Sequence, residues 1–185
     1  MDTDPRTEHK NRSRAPLRPL DAPTLGLSVL GLGFLRPAPG TWGSLPPCAL
    51  AALLVLLDVE PSVSLGALAV VFVLSCAACV VWGRYAETRF GRKDAAEVVA
   101  DETAGVCLPV APALLSDGTV IAIFAQIAWA FVLFRVFDII KPSPARELEK
   151  LPHGWGVLID DLVAGLYALI AFVLSMMAMG ALSPG

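Results

Sequence analysis

Between Pro61 and Arg84 the chain carries no charged side chain. An apolar run of that length matches the roughly 20 residues an α-helix needs to cross the hydrocarbon core of a bilayer. Lipid offers the backbone no hydrogen bonds, so such a run must satisfy its own as a helix. A second run starts at Asp160 and Asp161 and continues to about Leu182, and a third covers residues 119–140. Residues 40–57 and 98–115 are also apolar, but the first is short and the second carries Pro109 and Pro112. With 56% hydrophobic and 17% charged residues, a soluble domain of this length is excluded. The expected fold is all-α: a polytopic membrane helical bundle of about five membrane helices. Residues 25–35, too short to span, add an N-terminal interfacial or re-entrant helix.

The distribution of charge sets the domain plan and the orientation. Residues 1–24 form a basic, proline-bearing tail with Arg6, Lys10, Arg12, Arg14 and Arg18. It is expected to be a disordered cytoplasmic segment, leaving residues 25–185 as a single helical membrane domain. The apolar stretch after it leads to Arg-Pro-Ala-Pro and not to a small-residue cleavage site, which is not the pattern of a signal peptide. Lys and Arg recur in the 84–97 and 141–153 loops, whereas residues 58–64 and 116–118 have neither. The positive-inside rule therefore places the tail and both basic loops in the cytoplasm, and five crossings satisfy the parity. One consequence follows for residues 39–44, Asp101 with Glu102, residues 135–141, and Asp160 with Asp161. All fall at cytoplasmic helix ends and share one depth.

Residues 37–44 read as a turn-rich loop. Ser44 is the expected N-cap of the next helix, with Pro46 and Pro47 in its first turn, where a missing N–H does no harm. The backbone N–H groups of such a loop suit a phosphate, which makes Gly40, Thr41 and Ser44 candidate contacts. Cys76 and Cys79 form a C-x-x-C inside an apolar run with no further ligands nearby, so they read as packing residues. Neighbouring residues on a helix point about 100° apart, so Asp160 and Asp161 cannot both face straight into a bundle.

Asp101, Glu102, Asp138, Asp160 and Asp161 are five carboxylates at one level. Packed together in a low dielectric, they require a cation or must take up protons. All-oxygen ligands select a hard ion, and Mg²⁺ uses one or two protein carboxylates together with phosphate oxygens and water. Arg135 and Lys141 bring the opposite sign to the same level, as a phosphate would need. The residues thus point to a Mg²⁺-dependent site for a phosphate-bearing substrate at the inner membrane surface. His153 lies in the adjoining loop, where an imidazole could serve as acid or as a surface residue.

Four motifs, Ala38-Pro-Gly-Thr-Trp-Gly-Ser-Leu45, Asp101-Glu-Thr-Ala-Gly105, Phe134-Arg-Val-Phe-Asp-Ile-Ile-Lys-Pro-Ser-Pro144 and Gly154-Trp-Gly-Val-Leu-Ile-Asp-Asp-Leu-Val-Ala-Gly165, resemble the phosphatidylglycerophosphatase A family. They keep the family's order from about Gly31 to Gly165. The resemblance implies a Mg²⁺-dependent lipid phosphatase of the bacterial inner membrane, its active site facing the cytoplasm. Its substrate would be phosphatidylglycerophosphate, which loses the terminal phosphate to give phosphatidylglycerol in phospholipid biosynthesis. Asp101, Glu102, Asp160 and Asp161 match the family's acidic pairs, and Asp138 with Lys141 matches its R-x-x-D-x-x-K-P segment. On this reading Asp101, Glu102, Asp160 and Asp161 are the metal candidates, joined by Asp138 in catalysis. Gly40, Thr41, Ser44, Arg135, Lys141 and His153 are the substrate contacts, and no nucleic-acid partner is expected. No Cys or Ser stands in a nucleophile setting, which favours direct attack by water over an aspartyl-phosphate intermediate.

A small cation or proton transporter is the alternative, since it too places acids in a membrane. Its site belongs near the midplane between inverted repeats, and neither feature is present in this sequence. A non-catalytic scaffold predicts scattered charges.

Overall fold

The computed structural model describes residues 21–92, 94–143 and 154–182. Among them are six α-helices, with no strand: α1 (Ala22–Leu27), α2 (Pro39–Leu56), α3 (Pro61–Phe90), α4 (Ala100–Val110), α5 (Val120–Ile140) and α6 (Gly154–Leu182). Short 3-10 turns at Leu32–Phe34 and Ala111–Leu115 complete the order. Residues 1–20 of the basic tail and most of the 141–153 loop, His153 included, lie outside the described residues.

Helices α2, α3, α5 and α6 are long and apolar enough to cross a membrane. The fifth expected segment is 11 residues of α-helix followed by 5 of 3-10 helix. At 1.5 and 2.0 Å per residue these extend about 26 Å, close to the roughly 30 Å of a hydrocarbon core. Its broken character has a local cause. Pro109 and Pro112 each remove a helical N–H, and the tighter 3-10 turn takes over where the ladder fails. Such a helix must be sheltered by neighbours, and α4 is. Asp101, Thr103 through Cys107, Pro109 and Val110 are all buried, with α2, α3, α5 and α6 packed around them.

Small residues let the helices approach. A Cβ on Gly105 would stand 2.7 Å from the Asp161 carbonyl oxygen, and one on Gly165 would overlap the carbonyl oxygen of Gly105. On the other flank, a Cβ on Gly154 would overlap the carbonyl oxygen of Cys79 on α3. These are backbone-to-backbone contacts of the kind that hold helices together in lipid. Cys79 and Cys107 are buried free thiols in apolar clusters, as packing residues should be.

Two boundaries differ from expectation. Helix α2 starts at Pro39 with Ala38 as N-cap, six residues before the expected N-cap Ser44, so Ser44 caps nothing. Instead Ser44 Oγ donates to the Gly40 carbonyl within the helix, at 2.7 Å. Pro39 takes the favourable first position, and Pro46 and Pro47 fall inside the helix. Pro47 leaves the Gly43 carbonyl without its helical donor, and Thr103 Oγ1 of α4 supplies one at 2.6 Å. Tertiary context thus makes up for a helix that its local sequence would break. Helix α3, in turn, runs through Arg84 and Arg89 to a left-handed Gly91 C-cap, well past the expected end of its apolar run.

The N-terminal element differs as well: in place of a helix over residues 25–35 stands α1 (Ala22–Leu27), which begins inside the expected tail and ends before the positive-φ residues Val29, Leu30 and Gly31. Its N-cap is Asp21, whose carboxylate accepts from Thr24 N–H at 3.1 Å. Hydrogen bonds from Thr24 and then Tyr85 hold the Asp21 pKa down to about 2. The Leu27 carbonyl accepts from Val99 N–H at 2.9 Å, which ties α1 to the start of α4.

Candidate metal and phosphate site

The five acids singled out in the sequence do come to one end of the bundle, where they take two different kinds of partner. Asp101 and Glu102 occupy the first turn of α4, where carboxylates complement the positive helix end. Asp160 and Asp161 lie in the second turn of α6, and Asp138 in the last turn of α5. Asp101, Asp138, Asp160 and Asp161 are all buried.

Two of the five have cationic partners. Arg135 Nη1 donates to Asp138 Oδ2 at 2.6 Å, three residues along the same helix. Lys141 Nζ donates to Asp160 Oδ2 at 2.5 Å, joining the end of α5 to α6. Lys141 reaches this position from a left-handed C-cap (φ 45°), a conformation non-glycine residues adopt at a cost of about 1–3 kcal/mol. Pro142 follows, so the helix cannot continue. Tyr167 fastens the turn: its hydroxyl donates to the Ser143 carbonyl at 2.9 Å, and its ring stacks on Phe137.

The remaining three acids face one another. Asp101, Glu102 and Asp161 each offer a carboxylate oxygen, and these oxygens lie within 4.8 Å of one another. Asp101 Oδ1 and Glu102 Oε2 are buried and accept no hydrogen bond. Buried anionic oxygens at such spacing repel, and an orphaned lone pair in the interior costs about 1–3 kcal/mol or more. A hard divalent cation resolves both penalties, and oxygen-only donors are the set Mg²⁺ or Mn²⁺ accepts. The residues present therefore fit a metal ion.

Gly40 closes the site from α2. A Cβ there would overlap Glu102 Oε1 and stand 2.9 Å from Arg135 Nη1, so only glycine leaves the acid and the guanidinium their places. Thr41 is half-buried on the same turn, while the Ser44 hydroxyl is turned into its own helix. Asp160 and Asp161 are both buried because α6 has neighbours on two sides, Lys141 of α5 and the acids of α4.

Three residues that position the site were not singled out from sequence: Thr103, Gly105 and Gly165. Their signal is a repeated spacing. Asp101 precedes Gly105 by one helical turn, as Asp161 precedes Gly165, so the close glycine crossing sets the two acids side by side.

A polytopic helical bundle whose buried carboxylates fit a metal ion, beside Arg and Lys, has the side chains that a membrane-embedded hydrolase of phosphate esters would need. The sequence profile of the phosphatidylglycerophosphatase A family matches residues 26–176, and the chain belongs to that family. It is 37% identical over 151 residues to phosphatidylglycerophosphatase A of Haemophilus influenzae, covering 76% of this chain and 80% of that protein. A Bacteroides thetaiotaomicron protein, provisionally named a phosphatidylinositol-3-phosphatase, is 34% identical over 88% of this chain and 99% of its own length. The Escherichia coli phosphatidylglycerophosphatase A is 34% identical over 77 residues, 41% of each chain. No solved structure matches the chain.

Proposed function

We propose that this protein hydrolyses the terminal phosphate of phosphatidylglycerophosphate in a Mg²⁺-dependent reaction at the cytoplasmic face of a bacterial inner membrane. Family membership makes it a membrane lipid phosphatase. The observation that carries the finer reading is a gap between three acids with two cations held next to it. Three buried carboxylates stand within 4.8 Å, while Asp138 and Asp160 are engaged by Arg135 and Lys141. That arrangement suits a metal and a phosphate side by side, whereas a transport site would be expected at mid-membrane.

In this reading Asp101, Glu102 and Asp161 hold the ion, and Asp160 orients Lys141. A bound Mg²⁺ would neutralise phosphate charge and favour ionisation of a water at neutral pH. Arg135, fixed by Asp138, presents its guanidinium beside Gly40, where it can bind equatorial phosphate oxygens as charge builds on them. Lys141 contributes a second positive charge, and the Gly40 and Thr41 backbone gives the phosphate a close approach. Water oxygen bonds to phosphorus as the ester P–O bond breaks. The lipid alcohol leaves with a proton, and inorganic phosphate is the other product.

The test is phosphate release by the purified protein, with and without Mg²⁺, from phosphatidylglycerophosphate and from phosphatidylinositol 3-phosphate. The expected result is Mg²⁺-dependent release from the first substrate, reduced about 100-fold or more in Asp161→Asn. Preference for the inositol lipid would reassign the substrate, and full activity in folded Asp161→Asn would remove the triad from the mechanism.

A further inference from the structure

An apolar cavity of about 450 Å³ opens between α3, α6 and the junction of α4 with its 3-10 extension. Leu65, Ala69 and Phe72 form one wall, Leu108 and Leu115 another, and Leu169 a third. Ala69 and Leu115 are exposed, so the cavity is open at the side that faces lipid in a membrane. Its origin is local: α4 tightens into 3-10 helix after Val110, and only alanine side chains at 69 and 111 stand where larger ones would close the gap.

Two rows of side chains lead from the acidic site to this cavity. On α4 the row is Asp101, Gly105, Leu108; on α6 it is Asp161, Gly165, Leu169. Seven or eight helical residues correspond to about 10–12 Å. Between the rows the helices are packed shut, since a Cβ on Gly165 would overlap the Gly105 carbonyl oxygen and stand 3.1 Å from Leu108 Cδ1, so a chain reaches the cavity from its lipid-facing side. The cavity therefore begins about two helical turns below the carboxylates, toward mid-membrane. A phospholipid whose terminal phosphate sat at the triad would extend its hydrocarbon in that direction.

We propose that this groove seats a fatty acyl chain of the lipid substrate and so sets the enzyme's chain-length preference. The inference rests on the phosphatase reading above and deepens it. Lipid tails are as apolar as leucine, so hydrophobicity alone cannot draw a chain from the bilayer into the groove. Selectivity here comes from shape, because each well-placed carbon pair adds a small dispersion attraction. Short chains that end before Leu108 forgo those contacts.

The experiment compares phosphate release from long-chain and short-chain phosphatidylglycerophosphate by the wild-type protein, Ala69→Trp and Val70→Trp. Ala69 lines the groove; Val70 is the neighbouring lipid-exposed residue outside it. The expected result is a preference for long chains that Ala69→Trp lowers about fivefold, the equivalent of about ten lost carbon contacts, while Val70→Trp leaves it unchanged. Activity on the short-chain lipid should persist in both variants, which also shows that they fold. A lipid carrying a diazirine along its chain should label Leu108 or Leu169 in the wild-type protein. Normal phosphatase activity with an unaltered chain-length profile in Ala69→Trp would overturn the groove assignment and leave the phosphatase reading standing. A change of oligomeric state in that variant, without a change in profile, would give the groove to a second copy of the chain and equally overturn it. Absence of release from either lipid by the wild-type protein would overturn both readings.

Discussion

Gly165 rests on the carbonyl oxygen of Gly105, the oxygen that Pro109 deprives of its helical donor. The contact has the character of a Cα–H···O approach, which recurs where helices cross closely. It also dictates the metal site, because the acids one turn before each glycine are brought together by the same crossing. Packing and chemistry in this protein are set by one interhelical distance.

Replacing Gly165 with alanine should therefore do two things at once. The new methyl overlaps backbone, which cannot rotate away, so overpacking should cost about 1–3 kcal/mol. The spreading of α4 from α6 should lower phosphatase activity by more than the loss of folded protein explains. Gly66→Ala is the control, since nothing lies near that position and alanine favours a helix by about 0.5–1 kcal/mol over glycine. Thermal unfolding in detergent would show a lowered midpoint for the first and an equal or raised one for the second. Equal midpoints for the two variants would contradict the crossing geometry.

Metal removal should expose the repulsion within the triad. Two unit charges 4.8 Å apart repel by about 3 kcal/mol at an effective dielectric near 20. Asp138, Glu102 and Asp160 all place negative charge close to Asp161. Asp161→Asn should thus melt higher than wild type in chelator, despite having lost a native side chain. Wild type should gain about 2.7 kcal/mol at a Mg²⁺ concentration 100 times its dissociation constant, and the variant little or nothing. A Mg²⁺-induced shift of the same size in both proteins would remove Asp161 from the ligand set.

What could be read from the sequence followed from one-dimensional signals. Apolar runs located the crossings, Thr119 announced the start of α5, and charge asymmetry put the acids at one depth. Depth, however, carries no azimuth. The i,i+3 spacing of Arg135 and Asp138 offers an ion pair, but nothing in the sequence tells that Lys141 turns to Asp160, leaving Asp101, Glu102 and Asp161 to offer oxygens to one another. The start of α2 was misread for a related reason. Pro46 and Pro47 look like a helix beginning, and the donor that Pro47 removes is replaced by Thr103, 60 residues from the Gly43 carbonyl it serves. Long-range partners of orphaned carbonyls are invisible to local propensity.

The ion pair on α5 should behave as a unit. Both partners are largely shielded, with side-chain exposures of 18% for Arg135 and 11% for Asp138. Arg135→Ala leaves the Asp138 carboxylate facing other acids and should cost about 3 kcal/mol. Asp138→Asn in that background should restore much of the stability, giving a coupling energy of about 0.5–3 kcal/mol in a double-mutant cycle. Phosphatase activity should not return with it, because the guanidinium is still missing. Recovery of activity in the double variant would mean that Arg135 serves only to neutralise Asp138.

The hydrogen bond between Thr103 and Gly43 offers a test in which one defect repairs another. Thr103 Oγ1 lies 2.6 Å from the Gly43 carbonyl and 2.9 Å from the Val99 carbonyl, and its single proton best serves the shorter contact. Thr103→Val keeps the shape but leaves the Gly43 oxygen buried without a donor, at about 1–3 kcal/mol. Pro47→Ala supplies the missing N–H from within α2. In that background the Gly43 carbonyl has its helical partner, and Thr103→Val should cost less than half as much. Chemical denaturation of the four proteins in detergent measures the difference. Should Thr103→Val be equally damaging with Pro47 and with Ala at that position, the threonine would be holding α4 against α2 by its methyl group and not by its hydroxyl.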